Sequence, residues 1–323
     1  MATVSGMNIV ISGGSGQVGH ILARYFHASG HKVTVLSRHP QKEAWPVLPW
    51  DGRTEGPWIQ VLENSDVCIN LAGRSVNCRY DQARRREITE SRVLSTKLLN
   101  QVIGPLRCPP KVWLNASTAT IYRHALDRPM DEAHGELGGS EPGAPDTWNF
   151  SIDVAKSWEQ AFFAHPTPRT RKIAMRSAIT FSPDRGGAFD VLLGLVRHGL
   201  GGPQGSGEQF VSWIHEIDFA RSVEWLIAHE GFEGVVNLAA PNPLRNRDFM
   251  RAIRQAWGRM PGLPLQHWMV ELGAIFMRTE SELILKSRQA IPGRLTEAGF
   301  AFHYSEWPSA AQELVSRWKR WNG

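Results

Sequence analysis

One glycine-rich segment near the N-terminus, Gly13–Gly19 (GGSGQVG), constrains the fold of this chain more than any other feature. It follows a short apolar run, Asn8–Ser12, and opens a helical pattern over Val18–Ala28. Glycine suits such a strand–turn–helix junction because the turn is tight, a pyrophosphate can approach the backbone closely, and the helix packs on the strand. The start of the helix then offers unpaired N–H groups and partial positive charge to phosphates. Gly13, Gly16 and Gly19 therefore predict a dinucleotide site, with an ordinary glycine-rich turn as the alternative.

The rest of the chain alternates short apolar runs with longer helical patterns. Further strands are predicted at Lys32–Ser37, Val67–Leu71, Val112–Ala116, Lys172–Arg176 and Val235–Leu238. Further helices are predicted at Asp81–Ile103, Ser151–Phe163 and Phe219–Ala228. This alternation is typical of parallel βαβ units and predicts an α/β fold with a doubly wound parallel sheet.

The same patterns predict how the chain is divided. An NAD(P)-binding Rossmann core is expected over residues 7–182, and a strand and helix at about 217–240 are expected to return to it. Beyond Phe181 the rhythm changes to glycine- and proline-rich loops and shorter elements. Residues 183–216 and 241–323 are expected to form a smaller, mostly helical region that binds substrate or covers it as a lid.

The residue after the second strand indicates which nucleotide is bound. NAD-binding sites of this kind place an acid about 20 residues after the glycines, where it bonds to the adenosine ribose. Here the second strand ends at Ser37 and is followed by Arg38. A guanidinium attracts a 2′-phosphate and can bond to it in a bidentate way. Ser37 and Arg38 therefore favour NADP(H) over NAD(H); Arg38 as an ordinary surface residue is the alternative.

Composition excludes several classes of protein. Hydrophobic residues make up 42% and charged residues 21% of the 323 residues, so the chain can bury a core. The formal charge of +5 comes without a basic stripe interleaved with aromatic residues, so no nucleic-acid partner is predicted. No apolar stretch is long enough for a membrane helix, and no secretory signal is seen. Three cysteines, Cys68, Cys78 and Cys108, without a Cys-x-x-Cys pair favour a reducing, cytoplasmic location. An oligomer remains open.

No metal site is predicted. His27 and His31 are spaced by four residues, but Gly30 intervenes and no acid completes a ligand set, so both histidines are expected at the surface.

With the glycines, Asn70–Gly73 (NLAG) and Ala116–Tyr122 (ASTATIY), the chain resembles the extended short-chain dehydrogenase/reductases, the family of the nucleotide-sugar epimerases. It is most similar to an atypical branch, the NAD-dependent epimerase/dehydratase family of SDR39U1-like proteins, whose C-terminal piece is a domain of unknown function (DUF1731). The segments that carry this closer match are Ser91-Arg92 with Thr96, Arg176 through Pro183–Gly187, Gly201–Gly207, Trp213–His215 and Arg294–Phe300.

The resemblance implies positions for the cofactor and for catalysis. Gly13, Ser15, Gln17 and Val18 would line the pyrophosphate, and Arg38 would meet the 2′-phosphate. The remaining cofactor contacts implied are Asp51 near the adenine, Leu71, Ala72 and Gly73 along the ribose, and Pro183 by the nicotinamide. Thr118 falls where the family has its catalytic Ser or Thr, and Lys156 falls where it has its catalytic lysine. For Lys156, a solvated helix lysine is the alternative.

One departure from the family pattern affects the chemistry. The family's acid/base is a tyrosine four residues before the lysine, and position 152 is Ile. No other register restores Tyr-x-x-x-Lys, because the residues four beyond the four tyrosines are Ser29, Arg84, Leu126 and Pro308. Asp153, His215 and Asp218 are titratable substitutes, although capping and loop hydrogen bonds are their more ordinary roles.

Two functions of different classes follow. The first is an atypical NADP(H)-dependent oxidoreductase or epimerase acting on a small carbonyl, hydroxyl or sugar-like substrate, with the proton moved by water or another residue. The second is a catalytically silent dinucleotide-binding sensor or regulator. Trp148, Phe150, Trp213 and the loop Gly199–Gly207 are expected to wall the substrate cleft.

Overall fold

Strands and helices alternate along most of the chain in the computed structural model, which describes residues 6–259, 261–270 and 280–322. The strands are β1 (Asn8–Ser12), β2 (Lys32–Ser37), β3 (Val47–Pro49), β4 (Val67–Asn70), β5 (Val112–Thr118), β6 (Arg171–Ser177), β7 (Ile179–Phe181), β8 (Phe210–Val211), β9 (Trp213–His215), β10 (Gly234–Leu238) and β11 (Leu244–Arg245). The helices are α1 (Gln17–Ala28), α2 (Gln82–Ile103), α3 (Asp146–Phe163), α4 (Ala188–Arg197), α5 (Glu216–Ala228), α6 (Asn246–Trp257), α7 (Glu282–Leu285), α8 (Gly293–Glu297) and α9 (Trp307–Asn322). Short 3-10 turns lie at Pro57–Val61 and Ala119–Ile121.

Seven strands form one parallel sheet in the order β10-β6-β5-β4-β1-β2-β3. The direction of strand succession reverses between β1 and β4, so a crevice opens beyond their carboxyl ends, where open α/β sheets bind ligands. The predicted doubly wound Rossmann fold is therefore confirmed. The short strand β3 at the edge of the sheet was not predicted.

Helices cover both faces of the sheet because successive side chains of a strand point in opposite directions. Ile9 and Ile11 pack in a cluster with Phe26 of α1 and Phe219 of α5. Val10, between them, packs in a second cluster with Phe162 of α3. The near-continuous apolar strands of the sequence are thus explained by burial on both faces.

A third apolar cluster lies outside the sheet and joins α4, α6 and α9. The rings of Phe249 and Trp307 stack at a centroid distance of 4.1 Å, and Trp213 meets Trp307 edge to face at 4.9 Å. The side chains of Glu313 and Arg317 on α9 bond to His215 and Glu216, at the start of α5. The last helix is therefore fastened to the segment that leads back to the sheet.

Two expectations are wrong in detail. Helix α3 begins at Asp146 and not at Ser151. Pro145 is its N-cap residue, with a φ already close to the helical value, and the carboxylate of Asp146 in the first turn interacts favourably with the helix dipole. His31 is buried, at 5% exposure, because its ring packs on Phe26, whereas His27 is exposed as expected. Within the described ranges, no helix has the length and apolarity to cross a membrane.

Candidate functional site

The glycine-rich turn joins β1 to α1 and has no room for side chains at three of its positions. Gly13 has a positive φ of 72°, and a Cβ there would lie 2.6 Å from the backbone nitrogen of Ala72. A Cβ at Gly14 would lie 2.9 Å from Val35, and one at Gly19 would lie 2.4 Å from the Cα of Gly14. The turn, the first helix and the segment after β4 therefore approach one another too closely to admit these Cβ atoms.

Gly16 is different, because a Cβ at this position would have only the Gly13 carbonyl oxygen nearby, at 3.8 Å. Gly16 is the N-cap of α1, which has no side-chain cap and no acidic residue in its first turn. The open space lies at the positive end of the helix dipole, and the helix has left its first N–H groups without a capping side chain. This position could hold an anionic group such as a pyrophosphate.

The residues expected at the adenosine end lie at or just beyond the ends of the paired strands β2 and β3. The Ser37 hydroxyl donates to the hydroxyl of Ser15 at 3.0 Å, which fastens the strand to the glycine turn. Arg38 follows directly and is exposed. Asp51 accepts hydrogen bonds from the backbone nitrogens of Arg53 and Thr54, and these bonds keep the pKa of its carboxyl below the usual value.

A buried hydrogen-bond network supports the crevice from below. The amide of Asn70, at the end of β4, donates to Asn115 on β5 at 2.7 Å, and its oxygen accepts from Ser12 of β1 at 3.0 Å. The same oxygen accepts the backbone N–H of Ala72. Thr96 of α2 completes the network through Asn70. Since a fully hydrogen-bonded buried network is rigid, it fixes the position of the Leu71–Gly73 backbone next to the glycine turn.

A cleft of about 400 Å³ lies beyond the carboxyl ends of β4, β5 and β6. Four of the predicted site residues line it: Gln17, Val18, Leu71 and Thr118. Gln17 also donates to Ser182 at 2.7 Å, immediately before the buried Pro183. The cleft thus extends from the first helix toward the region that follows the core.

Thr118 and Lys156 do not come together. Thr118 lines the cleft and its hydroxyl accepts the backbone N–H of Thr120 at 3.1 Å. Lys156 is absent from the residues lining the cleft, and its ammonium donates to the carbonyl of Gly138 at 2.6 Å. Ile152 is also directed away, with 1% exposure, against the loop at Gly138 and Gly139.

The face of α3 that lines the cleft does not include Ile152 and Lys156. It carries Ser151, Val154, Ala155 and Trp158. Ser151 and Ala155 have the spacing of four that places two side chains on one helix face. The side chains of Ile152 and Lys156, predicted at the family's pair of positions, do not line the cleft. The cleft-facing residues with the same spacing, Ser151 and Ala155, supply neither a phenol nor an ammonium.

The C-terminal region supplies a carboxyl to this place. The Ser151 hydroxyl donates to Glu282 of α7 at 2.5 Å, and Glu282 also pairs with Arg288 at 3.4 Å. Glu282 and Arg288 both line the cleft, and burial raises the pKa of the Glu282 carboxyl although Arg288 opposes the change. Tyr80 lies on the same cleft, where burial and then the charge of Glu282 raise the pKa of its phenol to about 12. No local sequence pattern indicated Glu282 or Tyr80.

The other titratable candidates have structural roles. His215 is the N-cap of α5, accepting from the Ile217 N–H, and its other ring nitrogen bonds to Glu313. Asp218 accepts the backbone N–H groups of His303 and Tyr304, both at 2.8 Å. Asp153 is exposed. Among the residues that the structure describes, no three His, Cys, Asp or Glu side chains form a group that could hold a metal ion.

The expected aromatic walls are only partly present. Phe150 lines the cleft, whereas Trp213 is fully buried in the third apolar cluster. That expectation for Trp213 is wrong, because β9 turns its side chain toward α9 and not toward the sheet crevice. The ring of Trp148 stacks on that of His124, with 5.1 Å between the ring centroids. No residue of the loop Gly199–Gly207 lines the cleft.

A parallel sheet with a glycine turn at its switch point defines the class: a Rossmann-fold protein of the dinucleotide-binding type. A model of the NAD-dependent epimerase/dehydratase family matches residues 9–143, and a domain of unknown function, DUF1731, matches residues 267–314. The chain is 30% identical over 314 residues to "Epimerase family protein SDR39U1" of Bos taurus, covering 96% of this chain and 100% of that protein. The chain belongs to this epimerase family, as the resemblance implied.

Solved structures agree with this assignment. Human epimerase family protein SDR39U1, crystallised with NADPH, superposes with a TM-score of 0.83 at 30% identity, over 96% of this chain and 99% of that one. The nucleoside-diphosphate sugar epimerase of Corynebacterium glutamicum gives a TM-score of 0.73 at 26% identity, over 97% of this chain and 59% of that one.

Proposed function

We propose that this protein binds NADP(H) across the glycine turn and catalyses hydride transfer, as an atypical oxidoreductase or epimerase, on a small carbonyl, hydroxyl or sugar-like substrate in the cleft. The observation that carries the proposal is the open space at Gly16 beside three glycines that tolerate no side chain. The similarity to a relative crystallised with NADPH supports the choice of nucleotide. When bound, the nicotinamide supplies or accepts the hydride.

The chain's own residues would divide the binding work. Gly13–Gly19 with Ser15, Gln17 and Val18 would hold the pyrophosphate, and Ser37 and Arg38 would meet the 2′-phosphate. Leu71–Gly73 would lie along the ribose, with Asp51 at the adenine end and Pro183 toward the nicotinamide. Residues 183–216 and 241–323 would form the substrate side of the cleft.

The chemical step would use Thr118 and Glu282. Thr118 would hydrogen-bond the reacting oxygen of the substrate. Glu282 would give or take the proton through Ser151, in place of the family's tyrosine. A carboxyl with a raised pKa is suited to this because general acid–base catalysis is most effective when the pKa lies near the working pH.

Calorimetric titration with NADPH and NADH tests the binding, and loss of NADPH absorbance with a panel of carbonyl compounds tests the chemistry. NADPH is expected to bind more tightly than NADH. Failure of both nucleotides to bind would overturn the proposal.

A variant at the proton donor tests the chemistry separately. Glu282→Gln is expected to lower turnover about 10²-fold or more, without changing NADPH affinity, and to remove the limb of the pH–rate profile that reports the carboxyl. Glu55→Gln, at an exposed glutamate away from the cleft, is the matched control. Unchanged turnover in Glu282→Gln would contradict the role of Glu282.

A silent NADP(H) sensor is the second candidate, and it is favoured because the cleft-facing Ser151 and Ala155 supply neither a phenol nor an ammonium. A sensor would bind NADPH as tightly as proposed but convert no member of a carbonyl and alcohol panel. Tight binding combined with conversion of any panel member would exclude it.

We also propose a cytoplasmic location, because Cys68, Cys78 and Cys108 are all free thiols. Fractionation of the source cells, with an antibody to this chain, is expected to recover it with soluble cytoplasmic markers. Recovery in an oxidising compartment would contradict this.

A further inference from the structure

Arg92 has an unusual setting on the side of α2 that lines the cleft. Its guanidinium lies 5.2 Å from the ring centroid of Trp158, and one of its nitrogens donates to the carbonyl of Ile88 at 3.0 Å. A Cβ at Gly73 would lie only 3.1 Å from the guanidinium carbon. The group is therefore held between the Leu71–Gly73 segment and α3, facing the same cleft as Thr118.

The charges of the cleft are not balanced around this residue. Within the described parts of the chain, no carboxylate forms an ion pair with Arg92, while Glu282 and Arg288 pair with each other. Burial lowers the pKa of Arg92 to about 10, so its guanidinium is still charged at neutral pH. A desolvated charge without a counter-ion is costly, and an anionic ligand in the cleft would compensate it.

The remaining cleft side chains indicate what kind of anion fits. Tyr80, Ile88, Phe150, Val154 and Trp158 give the cleft a largely apolar and aromatic lining. A volume of about 400 Å³ is near the lower end of the ~300–1,000 Å³ typical of ligand sites, so the ligand is small. A phosphate dianion carries two negative charges and would be best neutralised by more than one cation. A carboxylate carries one negative charge and can accept two parallel hydrogen bonds from a single guanidinium, so it fits Arg92 better.

We propose that the cleft binds a small organic carboxylate, with its carboxylate on Arg92 and its apolar part against Trp158 and Phe150. This inference rests on the proposed function, since it names the substrate class of the same site. Arg92 is then a specificity-determining residue: it would fix the orientation of the substrate and place the rest of the molecule toward Thr118.

The test is calorimetry on the full chain saturated with NADPH, using 3-phenylpropanoate and its neutral counterpart 3-phenylpropanamide as probes, with inorganic phosphate as a third. The carboxylate is expected to bind at least about tenfold more tightly than the amide, as the strength of a charge-assisted hydrogen bond implies. Arg92→Met should abolish this preference, and Arg92→Lys should keep part of it. Arg86→Met, at a 74% exposed side chain of the same helix, should leave it unchanged.

Several outcomes would overturn the inference. They are equal affinity for the acid and the amide, no binding of either, tighter binding of phosphate than of the carboxylate, and a preference that survives Arg92→Met. A tenfold loss of NADPH affinity in Arg92→Met would assign the residue to the nucleotide instead. If NADPH itself does not bind, the proposed function fails, and the same acid–amide comparison on the free protein decides the inference separately.

Discussion

The two sides of the cleft are built in different ways. On the glycine wall, formed by Gly13–Gly19 and Leu71–Gly73, backbone atoms approach so closely that Gly13, Gly14 and Gly19 admit no Cβ without rearrangement. On the helix wall, formed by the cleft-facing side of α3 with Glu282, side chains determine the chemistry. There Ser151 and Ala155 are spaced by four residues on the side of α3 that lines the cleft. A site made by backbone restricts the sequence to glycine, whereas a site made by side chains can change its chemistry on the same scaffold.

The largest expected effect is the loss of NADPH affinity when a charge is added to the glycine wall without loss of stability. Gly16→Asp places a carboxylate in the open space at the start of α1, where it would repel a pyrophosphate but cap the helix favourably. NADPH affinity is expected to fall by about 100-fold or more, while the Tm of the nucleotide-free protein is unchanged or higher. Calorimetry and thermal unfolding on the same preparation measure both.

Ser29→Asp, at an exposed residue at the other end of α1, is the control for added charge and should leave NADPH affinity unchanged. Retained NADPH affinity in Gly16→Asp would show that the glycine wall does not hold the pyrophosphate.

The next effect concerns which nucleotide is chosen. Arg38→Asp is expected to reverse the preference from NADPH to NADH, with a change of about tenfold or more in the ratio of the two affinities, because an acid repels the 2′-phosphate and can bond to a ribose hydroxyl. Competitive titration of the two nucleotides measures the ratio. An unchanged ratio would mean that Arg38 is an ordinary surface residue.

Lys286, four residues after Glu282 of the helix wall, should make the stability of the protein depend on pH. Lys286 is 1% exposed and donates to the carbonyl of Thr120; burial lowers the pKa of its ammonium to about 7. In the unfolded chain the pKa is about 10.4. The folded state then binds fewer protons between these values, so this residue's contribution to stability rises with pH from about 7 toward 10, by at most about 1.4 kcal/mol per pH unit.

Urea unfolding of the wild type and of Lys286→Met, at several pH values across that range, measures this contribution. The variant should lack the rise, and Lys97→Met, at an exposed lysine, should keep it. The prediction would be contradicted if the free energy of unfolding changed with pH in the same way in the wild type and in Lys286→Met.

The smallest effect tests whether Lys156 of α3 contributes to the cofactor site. Lys156→Met should leave NADPH affinity unchanged, because the ammonium bonds to Gly138 and not to the cleft, and should lower stability by about 1 kcal/mol through loss of that hydrogen bond. Denaturant unfolding and calorimetry distinguish the two. A tenfold loss of NADPH affinity would restore Lys156 to the cofactor site.

Local patterns were sufficient where the structure is local. The glycine turn and the alternation of strands and helices could be predicted, because each depends on neighbouring residues. Thr118 was expected at the site from the family resemblance, and its side chain lines the cleft. The side of α3 that lines the cleft could not be predicted from the sequence alone, since a shift of one residue turns a side chain by about 100° around the helix. Glu282 was missed because it meets Ser151 only through tertiary folding, 131 residues away in the chain.

The fastening of α9 to the start of α5 has a consequence for synthesis of the chain. All seven sheet strands lie before residue 239, so the strand content of the nucleotide-binding half is complete once that part has left the ribosome. Glu282 and the anchoring residues Glu313 and Arg317 come later in the chain and leave the ribosome after all of these strands. The nascent chain therefore has its glycine turn well before Glu282, and the cleft can be completed only after that residue has left the ribosome.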